Sequence, residues 1–179
     1  MRTIVLLLEA ALILSIFSSC KKDKRDTSSP TGGTPGSGNL LQARIQGTTR
    51  QFSSITTYRD AGYGVLGGFL YVGSDTFSLS IADLFLPASR SDTSYTATFM
   101  GAASPQRRPQ LLYSHHSPQG RRAYSAPYAL APAARLTLSV TVQGSRAEGT
   151  FEGILYGGTD AFNPTDSIQV TEGSFRVNF

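Results

Sequence analysis

The chain has 179 residues, with 16 Lys and Arg against 12 Asp and Glu, a formal net charge of +4, one cysteine and no tryptophan. All three lysines fall within residues 21–24, so residues 40–179 carry 11 Arg against 9 acidic residues, and this mild balance gives no reason to expect nucleic acid as a partner. A lone cysteine closes no intrachain disulfide, and the 140 residues from 40 onward suit one domain with a real core.

From the amino terminus, Arg2 precedes an almost wholly apolar run of 14 residues, 4–17. A bilayer-spanning helix needs roughly 20 apolar residues, and Glu9 interrupts this shorter run, so residues 1–19 read as a signal peptide. The segment Phe17-Ser18-Ser19-Cys20 resembles the lipobox of bacterial lipoproteins, in which small residues precede a cysteine that becomes the first residue of the mature protein. The resemblance implies cleavage after Ser19 and lipidation of Cys20 by a thioether-linked diacylglyceryl group and an N-acyl chain. Acyl burial contributes ~0.8 kcal/mol per CH₂, so two or three chains anchor firmly, and the membrane is the expected partner.

Residues 20–39 continue with Lys21-Lys22-Asp23-Lys24-Arg25-Asp26, a solvated charge run too polar to fold alone. Cys followed by Lys and Asp is similar to the start of Bacteroidetes-type envelope lipoproteins, in which such a charged segment can direct export to the cell surface. The implied location is the outer membrane, on its periplasmic face or at the cell surface. Residues 27–39 are built almost entirely of Gly, Pro, Ser and Thr, and a coil of that length spans about 20 Å as a tether.

Residues 40–179 carry the period of strands. Leu41-Ala43-Ile45, Phe77-Leu79-Ile81, Leu136-Leu138-Val140-Val142, Phe151-Leu155 and Phe175-Val177-Phe179 alternate apolar with polar positions. Less regular strands are expected over 65–72, 95–99, 111–113 and 167–170. The only Ala-rich stretch, 128–135, is broken by Pro132. Roughly nine strands between Gly-rich turns predict an all-β fold, an antiparallel β-sandwich, with a small closed β-barrel as the alternative. Phe179 ends an alternating strand as outer-membrane barrels often do, but the other expected strands are mostly shorter than the 9–11 residues a crossing needs.

Residues 68–77 and 153–162 match at six of ten positions, each a strand entering a Gly-Ser/Thr-Asp turn. The closing Gly-Thr-Phe-x-Gly-x-Leu and Glu-Gly-x-Phe-x-Val strands are similar to the carboxy-terminal hairpin of several uncharacterised lipoprotein families, and the opening residues 40–52 to their first strand. That resemblance carries no catalytic residue.

Catalytic and metal-binding patterns are sparse. Glu148 and Glu152 share a strand face about 13 Å apart, beyond the roughly 5–9.5 Å of glycosidase carboxylates. His115-His116 reads as a polar loop, and adjacent residues of an extended chain point to opposite faces, so they would not grip one metal together. Asp160, Asn163 and Asp166 read as turn residues because their spacing is not that of a calcium loop. Gly-x-Ser-x-Gly elbows, phosphate loops and dinucleotide fingerprints are missing. No cofactor or metal is implied.

The most distinctive charge feature lies between Asp92 and Glu148, where no acidic residue occurs. Two near-copies stand there, Ser104-Pro-Gln-Arg-Arg108 and Ser117-Pro-Gln-Gly-Arg-Arg122. If their loops meet, Arg107, Arg108, Arg121 and Arg122 form an anion site, since guanidinium forks match sulfate, phosphate and carboxylate. The expected function is therefore a lipid-anchored envelope protein, a non-catalytic binding or structural module whose partner is an anionic glycan or lipid headgroup. The alternatives are a lipocalin-like carrier of an apolar ligand, though the Gly-x-Trp signature is missing, or a hydrolase whose residues meet only in three dimensions.

Overall fold

The computed structural model describes residues 38–86, 93–101, 108–159 and 164–179. The signal peptide, Cys20, nearly all of the tether, Arg107, Asp160 and Asn163 lie outside the described residues.

The fold is all-β. Eleven strands occur in the order β1 (Leu40–Ile45), β2 (Thr48–Gln51), β3 (Ser53–Asp60), β4 (Tyr63–Val72), β5 (Asp75–Phe85), β6 (Thr93–Met100), β7 (Gln110–Ser117), β8 (Gly120–Ala126), β9 (Arg135–Gln143), β10 (Arg146–Gly158) and β11 (Asp166–Asn178). No helix occurs among the described residues. The expected stretches 167–170 and 175–179 merge into β11, while β2, β3 and β8 are additions. Those three lack the apolar alternation that marks a strand; β2, for instance, is Thr-Thr-Arg-Gln.

Every pairing is antiparallel. One path runs β2-β1-β11-β10-β8-β7-β5-β4-β3, and its two end strands are consecutive in the chain, joined through Phe52. The Phe52 amide donates to the Leu41 carbonyl at 2.8 Å and β1 touches β3, so the sheet nearly closes on itself. Departure from a simple barrel comes at β10. Its first nine residues pair with β9, which carries β6, and its last three pair with β8. The molecule thus stands between the sandwich and the closed barrel.

Apolar alternation builds a single core. Leu41, Leu79, Ile81, Leu136, Leu138, Leu155 and Val170 are fully buried, each contributing roughly 1.5–3 kcal/mol relative to exposure. Two β-bulges rescue the alternation where it changes phase. In β5, Phe77, Leu79 and Ile81 face in, and then Leu84 does, followed by Leu86 just past the strand end; the shift falls at Asp83, whose φ is +52°. In β11, Ile168 and Val170 give way to Phe175 and Val177 across Glu172, also at φ +52°. An extra residue opposite one partner restores inward facing on both sides of each bulge.

Outward faces are mostly polar, with Tyr58, Val65, Tyr71, Val72 and Phe85 as exposed exceptions on β3, β4 and β5. Ser94–Thr141 and Thr96–Ser139 hydroxyls meet at 2.8 Å across β6 and β9, and Arg146 and Arg176 hold Glu148 at 3.0 and 3.4 Å. Five strands reach nine residues or more, so strand length does not separate this fold from a membrane-spanning barrel. Facing does: the interior is filled with apolar side chains and most outward positions are polar, the reverse of strands that meet lipid. Phe179 is half-buried, and its ring lies over Gly64.

Candidate functional site

The inner face turns polar at one end. Pairing of β5 with β7 sets Phe77 opposite His115 and Leu79 opposite Tyr113. Pairing of β7 with β8 sets Tyr113 opposite Tyr124 and His115 opposite Arg122. On the next strands Gly157 lies between Tyr124 and Asp166. Leu79, Leu111 and Ala126 share this parity and are fully buried, so the polar members of the same rows also start from the inner face, at its rim.

Arg50 reaches the same end from β2. Its partner Ala43 is buried, and its guanidinium carbon lies 3.8 Å from the centre of the Phe77 ring, a cation–π contact worth about 0.5–2 kcal/mol. Arg50 Nε is buried with no hydrogen-bond partner among the described residues. The His115 ring stacks on Phe77 at 4.4 Å, and its Nε2 is 2.9 Å from Asp75 Oδ2. Both side chains of that pair are about one-third exposed, at 31% and 33%, which leaves the rim open to solvent.

Aromatic hydroxyls complete the site. Tyr113 and Tyr124 rings are 6.2 Å apart, and the Tyr124 hydroxyl donates to Asp166 Oδ2 at 2.9 Å. Burial raises the Tyr113 hydroxyl above its ordinary range, opposed by the Arg50 guanidinium beside it. Burial also raises Tyr124, and the Asp166 carboxylate adds to it while Arg122 opposes. His116 points the other way along the strand, and burial, Arg121 and His115 together lower its pKa.

Of the sequence-expected anion residues, Arg107 lies outside the described residues and the other three do not meet. Arg108 precedes β7 and donates to the Met100 carbonyl at 3.4 Å, whereas Arg121 and Arg122 pair with His116 and His115 at the far end of β7. Six residues of strand from Gln110 to His116 separate the two places by roughly 20 Å. The Arg121-Arg122 pair stands on a strand, following a two-residue turn at Pro118-Gln119, so no joint loop site forms with Arg108. His115-His116 is likewise part of β7 and not a loop, with its side chains on opposite faces as extended backbone demands. Asp166 opens β11 and is engaged by Tyr124 and by its neighbour's amide, Ser167, at 2.7 Å. No group of three His, Cys, Asp or Glu side chains able to hold a metal occurs among the described residues.

Arg50, Asp75, Tyr113 and Tyr124 were not singled out by sequence. Asp75 sits in the repeated Gly-Ser/Thr-Asp turn, the one signal that pointed there, while Arg50 and Tyr124 lie on strands without alternation. Searches against family models, curated proteins and solved structures find no match, so this polar end carries the functional reading by its own chemistry.

Proposed function

We propose that the protein is a lipid-anchored, non-catalytic binding module of the cell envelope, held at the outer membrane by acyl chains on Cys20. What supports the anchor is the lipobox-like Phe17-Ser18-Ser19-Cys20 segment with its charged and tether sequences, which fit a Bacteroidetes-type envelope lipoprotein on the periplasmic face or at the cell surface. What supports binding is one observation: the guanidinium groups of Arg50 and Arg122 stand at the polar end without a carboxylate partner among the described residues. The carboxylates there are engaged by an imidazole, a phenol and an amide instead.

A hydrolase built on Asp75 and His115 needs a hydroxyl or thiol on the imidazole, and no Ser, Thr or Cys among the described residues is hydrogen-bonded to His115. A carrier needs interior space, yet Leu79, Ile81, Leu111, Leu155 and Val170 occupy the middle of the inner face at 0% exposure. A ligand therefore meets the domain at its polar end. Metabolic labelling with a fatty-acid analogue tests the anchor: the parent chain takes the label and Cys20→Ala does not. Equal labelling of the two chains refutes it.

A further inference from the structure

Two guanidinium groups and two carboxylates stand at the polar end, and no ion pair joins them among the described residues. Asp75 is bonded to His115 at 2.9 Å, and Asp166 accepts from the Tyr124 hydroxyl and the Ser167 amide. Arg50 stands over Phe77 at 3.8 Å with its guanidinium beside the Tyr113 hydroxyl, and its buried Nε has no acceptor among the described residues. A guanidinium carries five N–H donors and Arg50 is only part-buried, so its outer N–H groups can meet an acceptor from outside the chain.

We propose that Arg50 is the receptor for the carboxylate of a ligand whose ring or short alkyl body lies along the rim beside the part-exposed His115 imidazole, with Arg122 supplying a second positive charge there. The planar fork of a guanidinium matches a carboxylate through two parallel hydrogen bonds. Phosphate could use the same fork, but the local charge balance selects against it. Arg50 and Arg122 against Asp75 and Asp166 sum to zero, so a dianion would face two nearby carboxylates without compensation, whereas a monoanion engages Arg50 and meets less repulsion. The part-exposed His115 ring beside the fork suits a sugar ring or a hydrocarbon body rather than a bare inorganic ion. The shared chemistry is a monocarboxylate, which a uronate-bearing glycan or a fatty acid would each present.

The proposal rests on the binding-module reading and is independent of the anchor. Its test is isothermal titration of the full chain in detergent with galacturonate and with hexanoate, each a monocarboxylate set beside its uncharged methyl ester, and with inorganic phosphate. At least one carboxylate should bind one per chain and about 30-fold more tightly than its ester. Which of the two binds tells glycan from fatty acid. Arg50→Met should weaken that binding at least about 30-fold and Arg50→Lys, which keeps the charge but loses the fork, about tenfold. Circular dichroism of both variants establishes that they fold, and Arg50→Lys serves alone if Arg50→Met does not. Binding within about twofold of the parent in the folded variants, or no binding of either carboxylate up to about 10 mM, overturns the proposal. Tighter, Arg50-dependent binding of phosphate overturns the ligand class and leaves the module reading standing. Conversion of galacturonate to products would overturn the non-catalytic reading instead.

Discussion

Replacing Gly157 with Ala should open the seam between β8 and β10. An added Cβ would lie 1.9 Å from the Ala123 carbonyl oxygen and 2.9 Å from the Tyr124 Cα. These are backbone atoms, so no side-chain rotation relieves the clash, and β8 has to retreat by about 1.5 Å to reach ordinary contact. The seam is only three residues long, at Tyr156, Gly157 and Gly158, and the retreat also pulls Tyr124 from Asp166. Overpacking against backbone and the loss of two or three hydrogen bonds at about 1 kcal/mol each set the cost near 3 kcal/mol. For a domain of this size that is a fall in Tm of about 10 °C. Thermal unfolding by circular dichroism reads it, with Gly67→Ala as the comparison. There the new Cβ meets the Ser80 Cβ at 3.3 Å and the Leu79 carbonyl at 3.6 Å, so the loss should stay below about 1 kcal/mol. Melting of Gly157→Ala within about 2 °C of the parent would refute the close approach of β8 to β10.

Two further perturbations test other parts of the fold. Glu172→Val should cost about 2 kcal/mol, because a β-branched residue resists φ +52°, whereas Glu172→Gly should stay within about 1 kcal/mol despite losing the exposed pair with Arg44; denaturant midpoints for the two variants compare them, and equal losses would reject the strained bulge. The Tyr95 hydroxyl is pushed up to about 12 by burial, against a smaller opposing contribution from the Phe85 backbone. The folded state thus holds this proton more tightly than the unfolded chain, so stability is fully present below pH 10 and is lost as pH rises toward 12. Solvent screening of a partly exposed ring reduces the shift to about 1 kcal/mol. Tyr95→Phe should flatten the alkaline decline by that amount, and an unchanged slope between pH 10 and 12 would contradict it.

Much of the fold was legible because burial in strands writes a two-residue period into the sequence. Leu136 to Val142 and Leu41 to Ile45 alternate without interruption, and both are strands with the expected residues inside. Legibility ended where the period broke for a reason invisible in one dimension. The bulge at Glu172 shifts the phase within a single strand, so β11 read as two. Strands β2 and β3 close the sheet mainly by backbone pairing and carry mostly Ser, Thr and Arg, which read as loop. The candidate site was less legible still. Arg50 and Phe77 are 27 residues apart in sequence, and only the near-closure of the sheet brings a β2 guanidinium over a β5 ring. The clustered arginines attracted notice because they are adjacent in the chain, but the strand between them holds Arg108 away from Arg121 and Arg122.

The bulge in β11 has a bearing on which pairing the chain can adopt at all. Its extra residue interrupts the ladder with β1, between Gln42 and Arg44, and the ladder with β10, between Phe151 and Gly153. A strand whose side chains merely alternate can slide by two residues and still present its apolar face inward. Sliding β11 that far would bring Val170 or Ser174 to the left-handed position that Glu172 holds, and a valine there is sterically opposed. The kink therefore acts as a ratchet tooth engaged with two neighbours at once, fixing the three central strands in one alignment and, through β10, fixing where Gly157 meets Tyr124.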